Sequence, residues 1–149
     1  MNQETYAYSI RNDHLVYEFE SYGPNGTIKK IVQYVPRKAA GVNYFNLGFG
    51  DLDLVTGEID DLAVSNNFDK ERVLATVAAT VIDFTHKFPD AIVYARGSTP
   101  SRTRLYQIGI FANWSTISIL MHVYGFVYNT GWQAFQKNIN YMAFLARRK

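Results

Sequence analysis

The sequence predicts an α+β fold in which a curved antiparallel sheet packs against two helices. Three observations support this fold class. Apolar and polar residues alternate in four stretches of the first half, and turn sequences separate these stretches, as is typical of an antiparallel meander. An apolar stripe at helical spacing covers residues 66–88, and a second helical pattern starts at Pro100. The predicted order is ββββα followed by βαββ, and the 149 residues form one predicted domain.

The four strands of the first half are delimited by turn residues. The first begins at His14 and ends at Gly23-Pro24-Asn25-Gly26, where proline fixes φ and Asn-Gly tolerates positive φ. Another turn is predicted at Thr56-Gly57. The remaining three strands are predicted over residues 27–35, 44–54 and 59–65.

Two local features modify this pattern. Pro36 is predicted to end the second strand, because proline has no N–H for the ladder, and residues 37–43 are predicted to form a loop. The apolar alternation changes parity at Gly50, which predicts a β-bulge over residues 48–51. Residues 1–13 have no sustained period and are predicted to be a loosely ordered lead-in, in which Tyr6, Tyr8 and Ile10 could form a short strand.

Capping residues define both helices. Asn66 is the predicted N-cap of the first helix, and Pro89 ends it. A short strand over residues 91–95 leads to Thr99, the predicted N-cap of a helix with Pro100 at its first position. This helix is predicted to reach about residue 120. One of its faces comprises Leu105, Ile108, Phe111 and Ala112, and the last two strands are predicted over residues 122–128 and 139–146.

The composition excludes several classes of function. The chain has no cysteine, which rules out disulfides, thiolate catalysis and cysteine-ligated zinc and favours a cytoplasmic location. The polar N-terminus does not resemble a signal peptide. Residues 105–136 contain no Asp, Glu, Lys or Arg, but polar residues and glycines interrupt this stretch, so it is predicted to be buried core and not a membrane span. The formal charge of +2 is too small to indicate a partner.

The strand-to-helix connection before the second helix predicts an anion site. Glycine, hydroxyl residues and backbone N–H groups at a helix N-terminus suit an anion, and arginines add bidentate hydrogen bonds to phosphate. The alternative is structural, with the arginines paired to the acids Asp51, Asp53, Asp60 and Asp61. The predicted site residues are Arg96, Gly97, Ser98, Thr99, Arg102 and Arg104.

A metal-assisted phosphoryl-transfer or nuclease-like enzyme is the alternative function. Asp51, Asp53 and Asp60 lie around one predicted turn and could supply oxygen ligands to Mg²⁺. Acids at hairpin ends are more often solvated or ion-paired, and the three histidines do not have the spacing of a metal site. No catalytic residue, resident metal or cofactor is therefore predicted.

Two macromolecular partners are compatible with the aromatic content. Tyr17, Phe19, Tyr34, Tyr44 and Phe45 could stack on the bases of single-stranded nucleic acid, although the same residues could pack under the first helix. A protein partner would instead use an exposed apolar patch, predicted around Trp114, Trp132 and Phe135.

Several motifs together resemble a known group of sequences. They lie at residues 46–51, 60–61, 65–69, 73–77, 97–99, 102–106 and 141–149. With them, the chain resembles an uncharacterised family of small bacterial proteins, a resemblance that implies no activity. The order ββββα in the first half is also similar to one repeat of the Whirly and Pur-type single-strand-binding folds. The predicted function is a small non-enzymatic binding or interaction protein for a phosphate-bearing ligand or single-stranded nucleic acid, without a membrane association.

Overall fold

The computed structural model describes residues 4–60 and 67–149, and within these ranges one mixed sheet of nine strands carries three helices. The strand order is β1-β2-β3-β4-β6-β9-β7-β8, with β5 paired to β4. Among the described strands, only β4 and β6 pair in parallel, so the α+β prediction is confirmed with a mixed sheet. The elements are β1 (Tyr8–Arg11), β2 (Val16–Gly23), β3 (Gly26–Ala39), β4 (Val42–Leu52), β5 (Ile59–Asp60), α1 (Lys70–Lys87), β6 (Ile92–Ala95), α2 (Pro100–Ala112), α3 (Trp114–Leu120), β7 (Met121–Val127), β8 (Gly131–Ala134) and β9 (Ala143–Arg148).

The prediction that Pro36 ends the second strand is wrong, because β3 continues through it to a two-residue turn at Ala40 and Gly41. Both turn residues have positive φ, 49° and 79°, as a tight hairpin requires. The N–H of Tyr34 donates to Leu15 O (2.9 Å), so the nitrogen of Pro36, two residues later, faces the same side. Strand β2 has no residue opposite Pro36. The missing N–H of proline therefore breaks no ladder bond.

The predicted β-bulge is also wrong. Strands β3 and β4 pair in one uninterrupted register from Lys30 opposite Asp51 to Ala39 opposite Val42. The parity change in the sequence has a different cause, since Ile59 of β5 lies against the glycines of β4. A Cβ built at Gly50 would be only 2.8 Å from Ile59 Cγ2. Ile59 therefore packs over Gly48 and Gly50 of β4.

Helix α1 begins later than predicted. Its N-cap is Asp69, which makes no side-chain capping hydrogen bond. The carboxylate of Asp69 instead accepts hydrogen bonds from the hydroxyls of Tyr6 (2.6 Å) and Ser21, which fixes the start of the helix to the sheet. The predicted cap Asn66 and residues 61–65 of the predicted fourth strand lie outside the described residues.

All three helices pack on one face of the sheet and enclose two adjoining apolar cores. In the first, the ring of Phe84 on α1 stacks on Tyr34 of β3, with 4.0 Å between ring centroids. In the second, Met121 and Phe144 of the sheet pack with Ile117 of α3. None of the helices within the described ranges is long and apolar enough to cross a membrane.

The second predicted helix is divided into α2 and α3 by Asn113, whose side-chain amide donates to Gly109 O (2.8 Å). The predicted apolar face is wrong, because α2 buries Thr103 and Gly109 whereas Phe111 is 52% exposed.

The strand β8 was not predicted. The last strand lies at Ala143–Arg148, later than the predicted 139–146.

Gly109 offers the first testable prediction. It lines an apolar cavity of about 80 Å³ between the helices and the sheet, and an added Cβ would lie 3.5 Å from Leu74 Cβ, an ordinary contact. We expect Gly109→Ala to raise the free energy of unfolding by about 1 kcal/mol, because alanine costs less backbone entropy in a helix. Urea denaturation measures the change.

A second glycine provides the matched control. A Cβ at Gly125 of β7 would lie 2.2 Å from Tyr141 Cδ1, so Gly125→Ala must displace that ring. We expect it to lower the free energy of unfolding by about 1–3 kcal/mol or more. Destabilisation by both substitutions would contradict the packing described around Gly109.

Candidate functional site

The connection from β6 to α2 has the local structure that the sequence predicts. Thr99 caps α2, with its Oγ1 accepting from Arg102 N (3.2 Å), and Pro100 occupies the first turn. The hydroxyl of Thr103 donates to Thr99 O (3.3 Å) and accepts from Gly97 N (2.9 Å). These bonds hold the chain leaving β6 against the first turn of α2.

Gly97 is required by packing. A Cβ at this position would lie 2.4 Å from Thr103 N and 2.6 Å from Arg102 Cβ. Since real Cβ atoms do not approach backbone atoms this closely, only glycine allows the connection to lie against the helix. The role of Gly97 is therefore in the geometry of the connection, and its N–H is already donated to Thr103.

Arg102 reaches from α2 back to the sheet. Its Nη2 donates to Phe49 O on β4 (3.0 Å), and the side chain is partly buried. The guanidinium thus ties the start of α2 to β4. Because the substitution of Arg102 would disturb this contact, a loss of ligand binding in such a variant could not be separated from a loss of structure.

Arg96 and Arg104 are exposed and line a cleft of about 410 Å³ beside the start of α2. Within the described residues, neither guanidinium has a hydrogen-bond or ion-pair partner. The opposite wall is the segment before β9, which includes Asn140 and Tyr141. Gln107 of α2 fixes this wall, since its Nε2 donates to Ile139 O (2.5 Å) and its Oε1 accepts from Tyr141 N (3.2 Å).

This second wall could not be predicted from the sequence. Gln107 and Ile139 are 32 residues apart, and no local pattern around residues 139–142 indicates that they return to the start of α2. Ser98 lies on the exposed side of the connection and lines the cleft together with Arg96 and Arg104. The six predicted residues therefore divide into three that build the connection and three that face the cleft.

The acids of the alternative predictions contribute to the fold. Asp51 forms an ion pair with Lys30 across β3 and β4. The carboxylate of Asp53 accepts from the backbone N–H groups of Val55 (2.8 Å) and Thr56 (3.2 Å), which holds the β4–β5 turn.

Asp60 lies opposite Asp51 in the β4–β5 pair, and Asp61 lies outside the described residues. In the part of the chain that the structure describes, no three His, Asp or Glu side chains are grouped as a metal site requires.

Acidic and basic residues are distributed unevenly along the chain, although the net charge is only +2. All thirteen acidic residues precede residue 91, whereas the last 59 residues contain seven Lys or Arg and no acid. The cleft is built from residues of this second part of the sequence, in which every charged residue is basic. A region of one charge sign attracts ligands of the opposite sign even when the net charge is small.

The aromatic predictions need correction. Tyr17, Phe19 and Tyr34 are at most 4% exposed, and Phe45 packs with them beneath α1, so bases cannot stack on these residues. The exception is Tyr44, which lies on the opposite face of the sheet and contacts Tyr94.

The predicted protein-binding patch does not form one surface either. Trp114 packs against the buried ring of Phe135, with 4.9 Å between ring centroids, within the second core. Trp132 lies on β8, away from that core, and is 43% exposed. Only Trp132 is therefore available to a partner as predicted.

Comparison with known proteins gives one match. A family model described as Family of unknown function (DUF6934) matches residues 2–149, which confirms the predicted resemblance to an uncharacterised family. Neither the curated proteins nor the solved structures provide a match. The similarity to the Whirly and Pur-type folds stays a prediction.

Proposed function

The chain belongs to this family of unknown function (DUF6934), and from its geometry we propose that it is a binding protein for a phosphate-bearing ligand. The ligand occupies the cleft between the first turn of α2 and residues 140–142. The observation that carries this proposal is the presence of two arginines, Arg96 and Arg104, that line the cleft without a partner among the described residues. A cytoplasmic location belongs to the same proposal.

The chemistry of the cleft suits a phosphate group. Each guanidinium presents parallel N–H donors that match two phosphate oxygens, and such charge-assisted hydrogen bonds are stronger than neutral ones. The first turn of α2 contributes a partial positive charge. No acidic residue lies on α2 or on the segment 139–142 that faces it, so no carboxylate from these segments competes with the ligand.

A binding role is better supported than the metal-dependent enzyme. Asp51 is engaged by Lys30, and the carboxylate of Asp53 holds a turn. Within the described residues, these acids are not grouped with a third His, Asp or Glu side chain as an oxygen site for Mg²⁺ requires. The cleft beside α2, in contrast, has two exposed arginines in its lining, Arg96 and Arg104.

Titration with inorganic phosphate and pyrophosphate at low salt tests the proposal. We expect saturable chemical-shift changes at the amides of Ser98, Thr99 and Ser101 in ¹⁵N-labelled protein. The double substitution Arg96→Ala/Arg104→Ala should raise Kd about tenfold, because two charge-assisted contacts are lost while solvent screens each of them. Arg104→Lys should give an intermediate Kd, since lysine retains the charge and loses the planar fork.

Arg11→Ala is the matched control for this experiment. Arg11 is an exposed arginine of β1 and is ion-paired with Glu18 (2.8 Å), in the other half of the sheet. Its loss changes the net charge without touching the cleft, and we expect an unchanged Kd. An equal loss of affinity in this control, or no saturable shift in the unsubstituted protein, would refute the proposed site.

A further inference from the structure

The face of the sheet opposite the helices carries a row of aromatic side chains. Alternation along β6 places Val93 beneath α1 and α2, so Tyr94 points to the other side. The ring of Tyr94 contacts Tyr44 of β4 (5.8 Å between centroids) and Trp132 of β8 (6.3 Å), and Trp132 contacts Phe126 of β7 (5.3 Å). We call Tyr44, Tyr94, Phe126 and Trp132 the aromatic row.

The aromatic row is accessible to a ligand. Trp132 is 43% exposed, and the other three side chains are half-buried. The rings at all three contacts along the row are far from parallel, with interplanar angles of 66°, 73° and 62°. Rings in this edge-to-face arrangement are not stacked on one another, and Trp132 is the most exposed of the four to a further planar group.

Positive charges surround the row. Arg37 lies opposite Tyr44 in the β3–β4 register, and Arg147 lies opposite His122 on the strands β9 and β7. Strands β3, β6, β7, β8 and β9 contain no Asp or Glu. Arg96 follows Tyr94 by two residues and also lines the cleft beside α2. Basic residues therefore continue from the aromatic row to the proposed phosphate site.

We propose that the aromatic row binds single-stranded nucleic acid, with bases stacked on Trp132, Tyr94 and Tyr44 and with Arg37 and Arg147 contacting phosphates. The inference rests on the proposed function, since Arg96 joins the row to the cleft and the bound strand supplies the phosphate there. Two properties favour this ligand over a protein. Exposed rings bind bases of any sequence, and the strands β3, β6, β7, β8 and β9, whose charged residues are all basic, complement a phosphate backbone.

The strand must be single, because bases paired within a duplex do not present their faces to side chains. The proposal therefore separates three nucleic-acid probes by affinity. A labelled single strand of about twelve nucleotides should bind more tightly than a duplex of the same length, and both should bind more tightly than inorganic phosphate alone. Fluorescence anisotropy at two salt concentrations measures the first two, and competition measures the third.

Substitution of Trp132 is the direct test. We expect Trp132→Ala to weaken binding of the single strand about tenfold, the loss of one stacked base, and Trp132→Phe to retain most of the affinity. Phe111→Ala, which removes a ring of similar exposure (52%) from α2, should leave the affinity within about twofold. Arg147→Ala should reduce the slope of log K against log salt concentration by about 0.7, one phosphate contact.

The outcomes distinguish this inference from the proposed function. Phosphate binding that depends on Arg104, together with single-strand binding that is unaffected by Trp132→Ala and Tyr94→Ala, would overturn the inference and leave the cleft in place. Single-strand binding that depends on Trp132, without saturable phosphate binding, would support the aromatic row and refute the cleft. Self-association of the protein that Trp132→Ala abolishes, without any nucleic-acid binding, would identify the row as a protein interface and overturn the inference.

Discussion

Substitution of Phe84 by alanine is expected to lower the free energy of unfolding by about 3–5 kcal/mol, the usual cost of removing a buried phenyl group. Phe84 is 0% exposed. Its ring stacks on Tyr34, with 4.0 Å between centroids and 5° between ring planes, and contacts Phe45 (5.0 Å) and Phe88 (5.1 Å). These neighbours belong to β3, β4 and the end of α1. The substitution therefore removes contacts that hold the helix on the sheet and leaves a cavity between them.

Urea denaturation followed by circular dichroism measures this loss. Phe111→Ala is the control, because it removes the same group from a half-exposed position on α2, and its effect should stay within about 0.5 kcal/mol. Since the first core covers Tyr17, Phe19 and Tyr34, we also expect Phe84→Ala to raise the exposure of these rings to solvent. Equal effects of the two substitutions would contradict the placement of α1 over the sheet.

The parts of the fold that the sequence predicts depend on short-range signals. The Pro24-Asn25 hairpin turn and the Thr99-Pro100 start of α2 follow from backbone preferences that act within a few residues. Pro36 shows the limit of such signals. Whether proline interrupts a strand depends on which neighbour faces its nitrogen, and here β2 ends before reaching it. That information lies about twenty residues away and is absent from the local pattern.

The residues of the candidate site likewise divide into those predicted by local signals and those whose role depends on distant parts of the chain. The connection at Gly97 and Thr99 is predicted from its own residues, because glycine and a capping hydroxyl are local requirements. The role of Arg102 depends on the adjacency of α2 and β4, and the wall at Asn140 depends on the path of the chain into β9. Neither adjacency produces a periodic pattern of residues in the sequence from which it could be predicted. The basic character of the last 59 residues, however, was available in the sequence from the distribution of acids alone.

The aromatic row could not be predicted without the strand order of the sheet. Tyr44 and Trp132 are separated along the chain by α1, α2 and α3, and only the strand order brings them to one face. Alternation does predict that each strand has a buried and an exposed side, but it does not identify which side the helices cover. The first half illustrates this, since the aromatic side of β2 and β3 is the buried one. In the second half, aromatic residues occupy both sides, and one set stays available for a ligand.

The second large decrease in the free energy of unfolding is expected at alkaline pH. Burial, aided by the hydrogen bond to Asp83 (2.7 Å), raises the pKa of the Tyr17 hydroxyl far above its ordinary value near 10. Burial likewise raises the pKa of Tyr34, whose hydroxyl is hydrogen-bonded to Thr80 (2.9 Å). In the unfolded chain both hydroxyls ionise near pH 10, whereas the folded protein retains both protons. Stability is therefore fully present below pH 10 and falls as the pH rises towards the raised pKa values.

Each of the two groups contributes about 1.4 kcal/mol per pH unit above pH 10, so the free energy of unfolding should fall by about 3 kcal/mol between pH 9 and pH 11. Urea denaturation across this range measures the slope. Tyr17→Phe should be less stable than the unsubstituted protein at pH 8, because the bond to Asp83 is lost, yet its stability should fall with a smaller slope above pH 10. Tyr128→Phe, at a position that is 70% exposed, should retain the full slope. Identical slopes in all three proteins would show that the buried hydroxyl of Tyr17 is not a cause of alkaline unfolding.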